Sequence, residues 1–181
     1  MNYKVKKQSI FKTPVWTTRI DADNKKIQDY AYSLKSQDDD GILRSDFAKS
    51  GQYYSPVPTR HSSNKSPKYM NDLLDSFCDI IQKNITNGEE VYVDNWWFNV
   101  NHKGVLNTHH SHPGADYSLV YYVKTHEDCG DLVLKRSDDK VLFNREFVHH
   151  YEMENPDCYL TPEDGSVVIG LEGSDVDIDD V

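Results

Sequence analysis

The stretch NTHHSHPGADYSLVYYV, residues 107–123, places three histidines within four positions directly before an apolar run. Its second half is rich in β-branched and aromatic residues and follows Pro113-Gly114, a pattern typical of a buried β-strand after a turn. Imidazole is the commonest metal ligand among protein side chains. The stretch therefore predicts a strand with metal-ligating residues at its N-terminal end.

The spacing of the histidines indicates which of them act together. Along an extended chain successive side chains alternate between faces, so His110 and His112 point the same way, about 6–7 Å apart. Two imidazoles at that spacing can hold one metal ion, whereas His109 and Ser111 face the other side. The alternative is a solvent-exposed histidine pair that binds no metal. The residues around the pair indicate which of these two interpretations is correct.

The preceding segment VYVDNWWFNVNHKG, residues 91–104, also alternates and predicts a strand from Val91 to Val100. Asn99 and Asn101 then lie on one face, and Trp96 and Phe98 lie on the other. A face of asparagines beside two histidines resembles the lining of a pocket. A solvated face of a sheet is the alternative interpretation.

The order of the predicted elements indicates the fold class. Apolar residues at helical spacing predict one helix from Asp23 to Gln37, with Asp21 or Asp23 as N-cap. They predict a second helix with Ser66 as N-cap and Pro67 at the first helical position, ending at Asn87-Gly88. Strand patterns follow at residues 91–100, 116–124, 131–135, 141–143, 146–152 and 166–169. A short strand interrupted by Pro14 precedes the helices. This order predicts an α+β fold with an antiparallel sheet, for which a double-sheet jelly roll is one candidate.

Composition narrows the function classes. The 181 residues carry a net charge of −10, and Glu163–Val181 holds seven acids with no Lys or Arg, so the other residues have 23 acids against 20 bases. Without a basic stripe, direct binding to nucleic acid is not expected. No apolar stretch is long enough to span a membrane. The three cysteines have no CxxC spacing and the N-terminus lacks a signal-peptide pattern, so we expect a cytoplasmic protein.

At this point the motifs carry a family resemblance. The block NWWFNVNHKGVLNTHHSHPGADYSLVYYVK, together with IFKTPVW, RSDFAKSGQYYS and LTPEDGSVVIG in that order, resembles the Fe(II)- and 2-oxoglutarate-dependent oxygenases common in marine bacteria and their phages. The resemblance implies a double-stranded β-helix, or jelly roll, with two N-terminal supporting helices. It also implies one oxygenase-like domain over residues 1–170, followed by an acidic tail over residues 171–181.

The resemblance also implies a cofactor site. His110 and His112 take the positions of the paired Fe(II) ligands, and the second position is more often Asp in the wider superfamily. By similarity to prolyl-hydroxylase-like enzymes, Tyr122 contacts the distal carboxylate of 2-oxoglutarate, although a purely structural aromatic is the alternative. Asn99 is the next candidate for contacting the cofactor or metal-bound water. The implied partners are this cofactor and a substrate that the sequence does not identify, and for a phage protein the compartment is the host cytoplasm.

The C-terminal part departs from the family pattern, which continues into a third metal-binding His and an Arg that binds 2-oxoglutarate. In this sequence the last His is His150 and the last Arg is Arg145. A truncated or frame-altered chain, an acid in place of the His, and an inactive relative are three explanations. Candidate third ligands are Glu172, Asp175, His149 and His150. Two further functions stay open: a jelly-roll binding or structural protein without catalysis, and a cupin-like metalloprotein that does not use 2-oxoglutarate.

Overall fold

The two helices form where apolar residues recur at helical spacing. The computed structural model describes residues 14–37, 52–54, 66–105, 107, 110, 112, 114–136, 158–171 and 176–180. Helix α1 spans Asn24–Gln37, and α2 spans Lys68–Asn84. The Asp23 carboxylate accepts a hydrogen bond from the Lys26 N–H at 3.1 Å, which confirms Asp23 as the N-cap of α1.

The start of α2 differs from the prediction, because Pro67 rather than Ser66 is its N-cap. Pro67 has a ψ of 148°, outside the helical range, and its carbonyl accepts the first hydrogen bonds, from Met70 and Asn71. The proline ring fixes φ near the helical value but leaves ψ free, so the helix begins one residue later than the Ser-Pro pattern indicates. At the other end, α2 stops at Asn84, three residues before the predicted Asn-Gly stop.

The described residues also form eight strands in three antiparallel sheets. The sheet orders are β1-β7-β4, β2-β3 and β6-β5-β8. Most predicted strands of the described part are present, with slightly different bounds, while those over 141–143 and 146–152 lie outside the described residues. The strands are β1 Val15–Arg19, β2 Gln52–Tyr54, β3 Asn99–Asn101, β4 Tyr117–Tyr121, β5 Leu132–Arg136, β6 Cys158–Leu160, β7 Ser166–Leu171 and β8 Val176–Asp180.

The predicted strand over residues 91–100 is wrong for most of its length, because only Asn99–Asn101 forms a strand and Asn95 adds one isolated bridge. Val91 packs against the cluster that contains the buried face of α2, and its carbonyl lies 3.5 Å from the Gln82 side-chain amide of that helix. The alternating pattern therefore reports which side chains are buried. It does not report pairing of the backbone with another strand.

Strand β7 separates two apolar clusters, since its side chains alternate between them. Val167 and Ile169 join a cluster with the buried faces of α1 and α2, whereas Val168 joins a second cluster with Leu132 and Leu134 of β5. The helices therefore cover one face of the β1-β7-β4 sheet, and the β6-β5-β8 sheet packs on the other face. The α+β class, with two helices and antiparallel sheets, is confirmed, and two facing sheets are compatible with a jelly roll.

Strand β8 lies within the acidic C-terminal segment. Its backbone pairs antiparallel with β5, from Leu132 opposite Asp180 to Arg136 opposite Val176. This pairing completes the β6-β5-β8 sheet. Among the helices of the described part, none is both long and apolar enough to cross a membrane.

Candidate functional site

A tight turn connects the histidine segment to β4. The N–H of Ala115 donates a hydrogen bond to the carbonyl of His112 at 3.2 Å, and Gly114 between them has a φ of 93°. A positive φ at the third position of such a turn requires glycine or asparagine, and Pro-Gly is its usual sequence. The turn reverses the chain, so the start of β4 comes back alongside His112.

The structure brings His110 and His112 into direct contact. Their ring centroids are 4.9 Å apart and their planes are perpendicular. With metal–nitrogen bonds of about 2.1 Å, two imidazoles on neighbouring positions of one metal ion have centroids about 4.5–5.2 Å apart. The observed separation falls in this range, so the spacing of the two rings is compatible with a shared metal ion.

Two neighbours fix the His112 ring. Its Nδ1 atom lies 2.8 Å from the Ser118 hydroxyl on β4, and its centroid lies 5.5 Å from that of Trp97 at an interplanar angle of 53°. The Nε2 atom of the same ring is buried, whereas the His110 side chain is exposed. A ligating histidine commonly engages its second nitrogen in such a hydrogen bond, which orients the ring and sets the tautomer.

A third ligand is not found among the residues that the structure describes. No group of three His, Cys, Asp or Glu side chains in that part of the chain can hold a metal ion. Four of the candidates from the sequence, at positions 149, 150, 172 and 175, lie outside it. His126 is exposed in a turn, where its Nδ1 accepts a hydrogen bond from the Asp128 N–H at 3.3 Å.

Tyr121, the last residue of β4, and Tyr122, which follows it, have different environments because side chains alternate along the extended chain. Tyr121 packs in the helix-side cluster, where its hydroxyl donates a hydrogen bond to the Asn24 side chain of α1. Burial, followed by the negative charge of Asp21, raises the pKa of the Tyr121 hydroxyl. Tyr122 packs on the opposite side, in the cluster between the two sheets. Ser118 shares the parity of Tyr122 and therefore the same face of β4.

A cavity of about 300 Å³ lies beside Tyr122. Its lining includes the guanidinium group of Arg19 and five residues with a hydroxyl group, which are Thr17, Thr18, Tyr122, Thr161 and Ser166. In register, Arg19 of β1 lies opposite Ser166 of β7, whose carbonyl accepts a hydrogen bond from the Tyr122 N–H at 3.0 Å. Such donors bind carboxylates well. The Arg19 guanidinium is already paired with the carboxylate of Glu163, which also lines the cavity.

Asn99 lies on the short strand β3, where its side chain is exposed. Asn101 is exposed as well, and Val100 between them is half-buried. Trp96 and Phe98 pack against the helix-side cluster, so the predicted separation of a polar and an aromatic face is present. The role of Asn99 in cofactor binding stays a prediction.

Three residues near the histidines were not recognised from the sequence as parts of the site. Ser118 and Trp97 contact His112, and Asn107, just before the histidines in the sequence, is buried at 3% exposure. The only signal for Ser118 is a small hydroxyl residue within an otherwise apolar and aromatic strand. Trp97 gives no separate signal, because its neighbour Trp96 has the same residue type and packs in the core.

Residues 95–170 match a family model described as "Putative 2OG-Fe(II) oxygenase". The matched segment contains β3, β4, β5, β6 and most of β7, together with the histidine pair and Tyr122. The family resemblance inferred from the motifs is thereby confirmed, while the phage or marine type stays a prediction. A search among curated proteins found none that matches the chain.

Proposed function

We propose that this protein hydroxylates a substrate with Fe(II) and 2-oxoglutarate as cofactors, because residues 95–170 match the family model described as "Putative 2OG-Fe(II) oxygenase". His110 and His112 hold the iron in this proposal, and Tyr122 and Asn99 contact the 2-oxoglutarate or metal-bound water. The observation that carries the proposal is the contact of the two imidazoles at a centroid separation of 4.9 Å, inside the matched segment.

The residues of the chain have separable tasks. Neutral imidazoles suit Fe(II), and two of them leave coordination positions for a third ligand, 2-oxoglutarate and dioxygen. When bound, the iron and 2-oxoglutarate together supply the oxidising chemistry, with the co-substrate decarboxylated to succinate. In this proposal Tyr122 would donate its hydroxyl hydrogen to the distal carboxylate of 2-oxoglutarate, in the cavity that it lines together with Arg19 and Ser166.

The proposed cavity and the histidine pair share one face of β4. Ser118, which contacts His112, is four residues from Tyr122, a distance of about 13 Å along a strand. The extended side chain of a tyrosine and a five-carbon dicarboxylate together bridge a gap of this order. All three cysteines of the chain are unpaired, which is consistent with the proposed reducing, cytoplasmic compartment.

The first test is an anaerobic titration of the full chain with Fe(II) and then 2-oxoglutarate, monitored by the charge-transfer absorbance of the ternary complex. We expect a band that requires both additions and is lost in His110→Ala and His112→Ala. His126→Ala is the matched control, since His126 is an exposed histidine in a turn. A band that persists in both site variants would refute the ligand assignment.

The second test separates the role of Tyr122 from that of its neighbour. Tyr122→Phe removes the hydroxyl beside the cavity, and we expect 2-oxoglutarate to bind about 10-fold more weakly, the loss of roughly one hydrogen bond to a charged group. Tyr121→Phe removes a hydroxyl on the helix side of the same strand and should leave this affinity unchanged. Metal binding with no response to 2-oxoglutarate in the unmodified chain would favour the cupin-like alternative. A folded chain without metal binding would favour the non-catalytic one.

A further inference from the structure

Ser118 occupies an unusual place for a polar side chain. It lies near the start of β4, between Tyr117 and Leu119, and on its own face of the strand the next residue is the apolar Val120. Its hydroxyl oxygen is 2.8 Å from Nδ1 of His112, six residues earlier in the chain. The geometry points to Ser118 as a positioning residue that makes Nε2 of His112 the metal-binding nitrogen. This inference rests on the proposed function.

The chemistry of imidazole gives the reason. A neutral ring carries its proton on one nitrogen and a lone pair on the other, so only one nitrogen binds a metal ion. When Nδ1–H donates to the Ser118 oxygen, the lone pair is on Nε2, which is the buried nitrogen of this ring. A serine hydroxyl can also donate to Nδ1, and in either case Ser118 occupies that nitrogen and leaves Nε2 as the ring nitrogen for a metal ion.

The surroundings of Ser118 keep its hydroxyl in place. The strand is partly buried along its whole length, with Tyr117 and Leu119 in the helix-side cluster and Val120 in the cluster between the sheets. On the neighbouring strand β7, the residue opposite Ser118 is Gly170, which has no side chain. At this register β7 therefore presents no side chain that competes for the Ser118 hydroxyl.

Trp97 limits the remaining freedom of the ring. Its indole contacts the His112 imidazole at an angle of 53°, while the hydrogen bond to Ser118 acts at the edge of the ring. A contact on the ring and a hydrogen bond at one edge together restrict both side-chain torsions of His112. Of these two neighbours only Ser118 occupies a ring nitrogen, so the experiment must measure which nitrogen of His112 binds the metal.

The test compares metal affinity and tautomer in the full chain, with Co(II) as an absorbing probe and Zn(II) for NMR. We expect Ser118→Ala to bind Co(II) about 10–100-fold more weakly, the usual effect of removing a hydrogen-bond partner of a ligating histidine. Ser118→Thr keeps the hydroxyl and suits a strand, so it should restore the affinity. Ser33→Ala is the matched control, because Ser33 is half-buried and donates its hydroxyl hydrogen to Tyr30 within α1.

The tautomer is read from the ring nitrogens of histidine-labelled, Zn(II)-loaded protein. We expect a protonated Nδ1 and a metal-bound Nε2 for His112 in the unmodified chain and in Ser118→Thr. Equal Co(II) affinity of Ser118→Ala and the unmodified chain would overturn the inference and leave the proposed function standing. Failure of the unmodified, folded chain to bind either metal would instead overturn the proposed function.

Discussion

Substituting Gly165 by alanine tests the turn before β7, which is hydrogen-bonded to the backbone of Tyr122 and of Ile20. The Gly165 N–H donates to the Tyr122 carbonyl at 2.7 Å, and its own carbonyl accepts from the Ile20 N–H at 3.0 Å. Gly165 has a φ of +81°, and an added Cβ would lie 3.0 Å from the Ile20 carbonyl oxygen. Because that oxygen belongs to the backbone, relief of the contact requires movement of the strand connection.

Gly104 is a matched control, since its φ is +82° and an added Cβ would meet nothing within 4 Å. For Gly104→Ala the left-handed backbone costs about 1–2 kcal/mol, and the lower entropy of the unfolded chain offsets about 0.4–1 kcal/mol of it. Gly165→Ala carries the same terms and adds a steric cost of about 1–3 kcal/mol. The difference between the two variants therefore isolates the contact with Ile20.

The assay is thermal unfolding of both variants and the unmodified chain, followed by circular dichroism. For a chain of this length each kcal/mol lowers the Tm by about 2–4 °C. We expect the Tm of Gly165→Ala to be about 2–12 °C lower than that of Gly104→Ala. Equal Tm values would refute the reasoning, because the backbone strain is the same at both positions.

Three further predictions concern the core, an electrostatic contact and the site. Ile169→Ala should lower the free energy of unfolding by about 2–5 kcal/mol, because Ile169 is only 1% exposed; a loss below about 1 kcal/mol in urea unfolding would contradict the assigned core. At Asp164, desolvation raises the pKa but hydrogen bonds from Thr125 and Lys124 outweigh it and lower the pKa below its usual value. Its stabilising effect should thus be present above about pH 4 and be lost as the pH falls through the folded pKa, so Asp164→Asn and the unmodified chain should converge in stability at low pH. Trp97→Phe should remove most of the fluorescence change on Co(II) binding, because Trp97 contacts His112, and an unchanged signal would exclude that contact.

The helices could be predicted from the sequence because their signal is local. Ile27 and Ala31 lie one turn apart on the buried face of α1, and Asp23 caps the same helix within four residues of Ile27. The short strands carry no comparable signal. A strand of three residues such as Cys158–Leu160 is defined by its partner β5, and partner choice depends on contacts far away in the sequence.

The candidate site was predictable only in part, for a related reason. The spacing of His110 and His112 along the chain is local, so their proximity follows from the motif. Their contacts with Trp97 and Ser118 depend on the turn at Gly114 and on where the preceding segment packs. Arg19 lines the Tyr122 cavity because β1 pairs with β7. These two strands are far apart in the sequence, so local patterns do not predict their pairing.

The alternation of β4 explains why imidazoles precede a hydrophobic strand. One face of the strand, through Tyr117, Leu119 and Tyr121, packs on the helices, and on the second face Val120 packs between the sheets. The second face begins with Ser118 at the histidine pair and ends with Tyr122 at the cavity. Burial of the first face provides the stability that precise positioning of the second requires. We therefore expect a substitution of Ser118 or Tyr122 to change ligand binding before it changes folding.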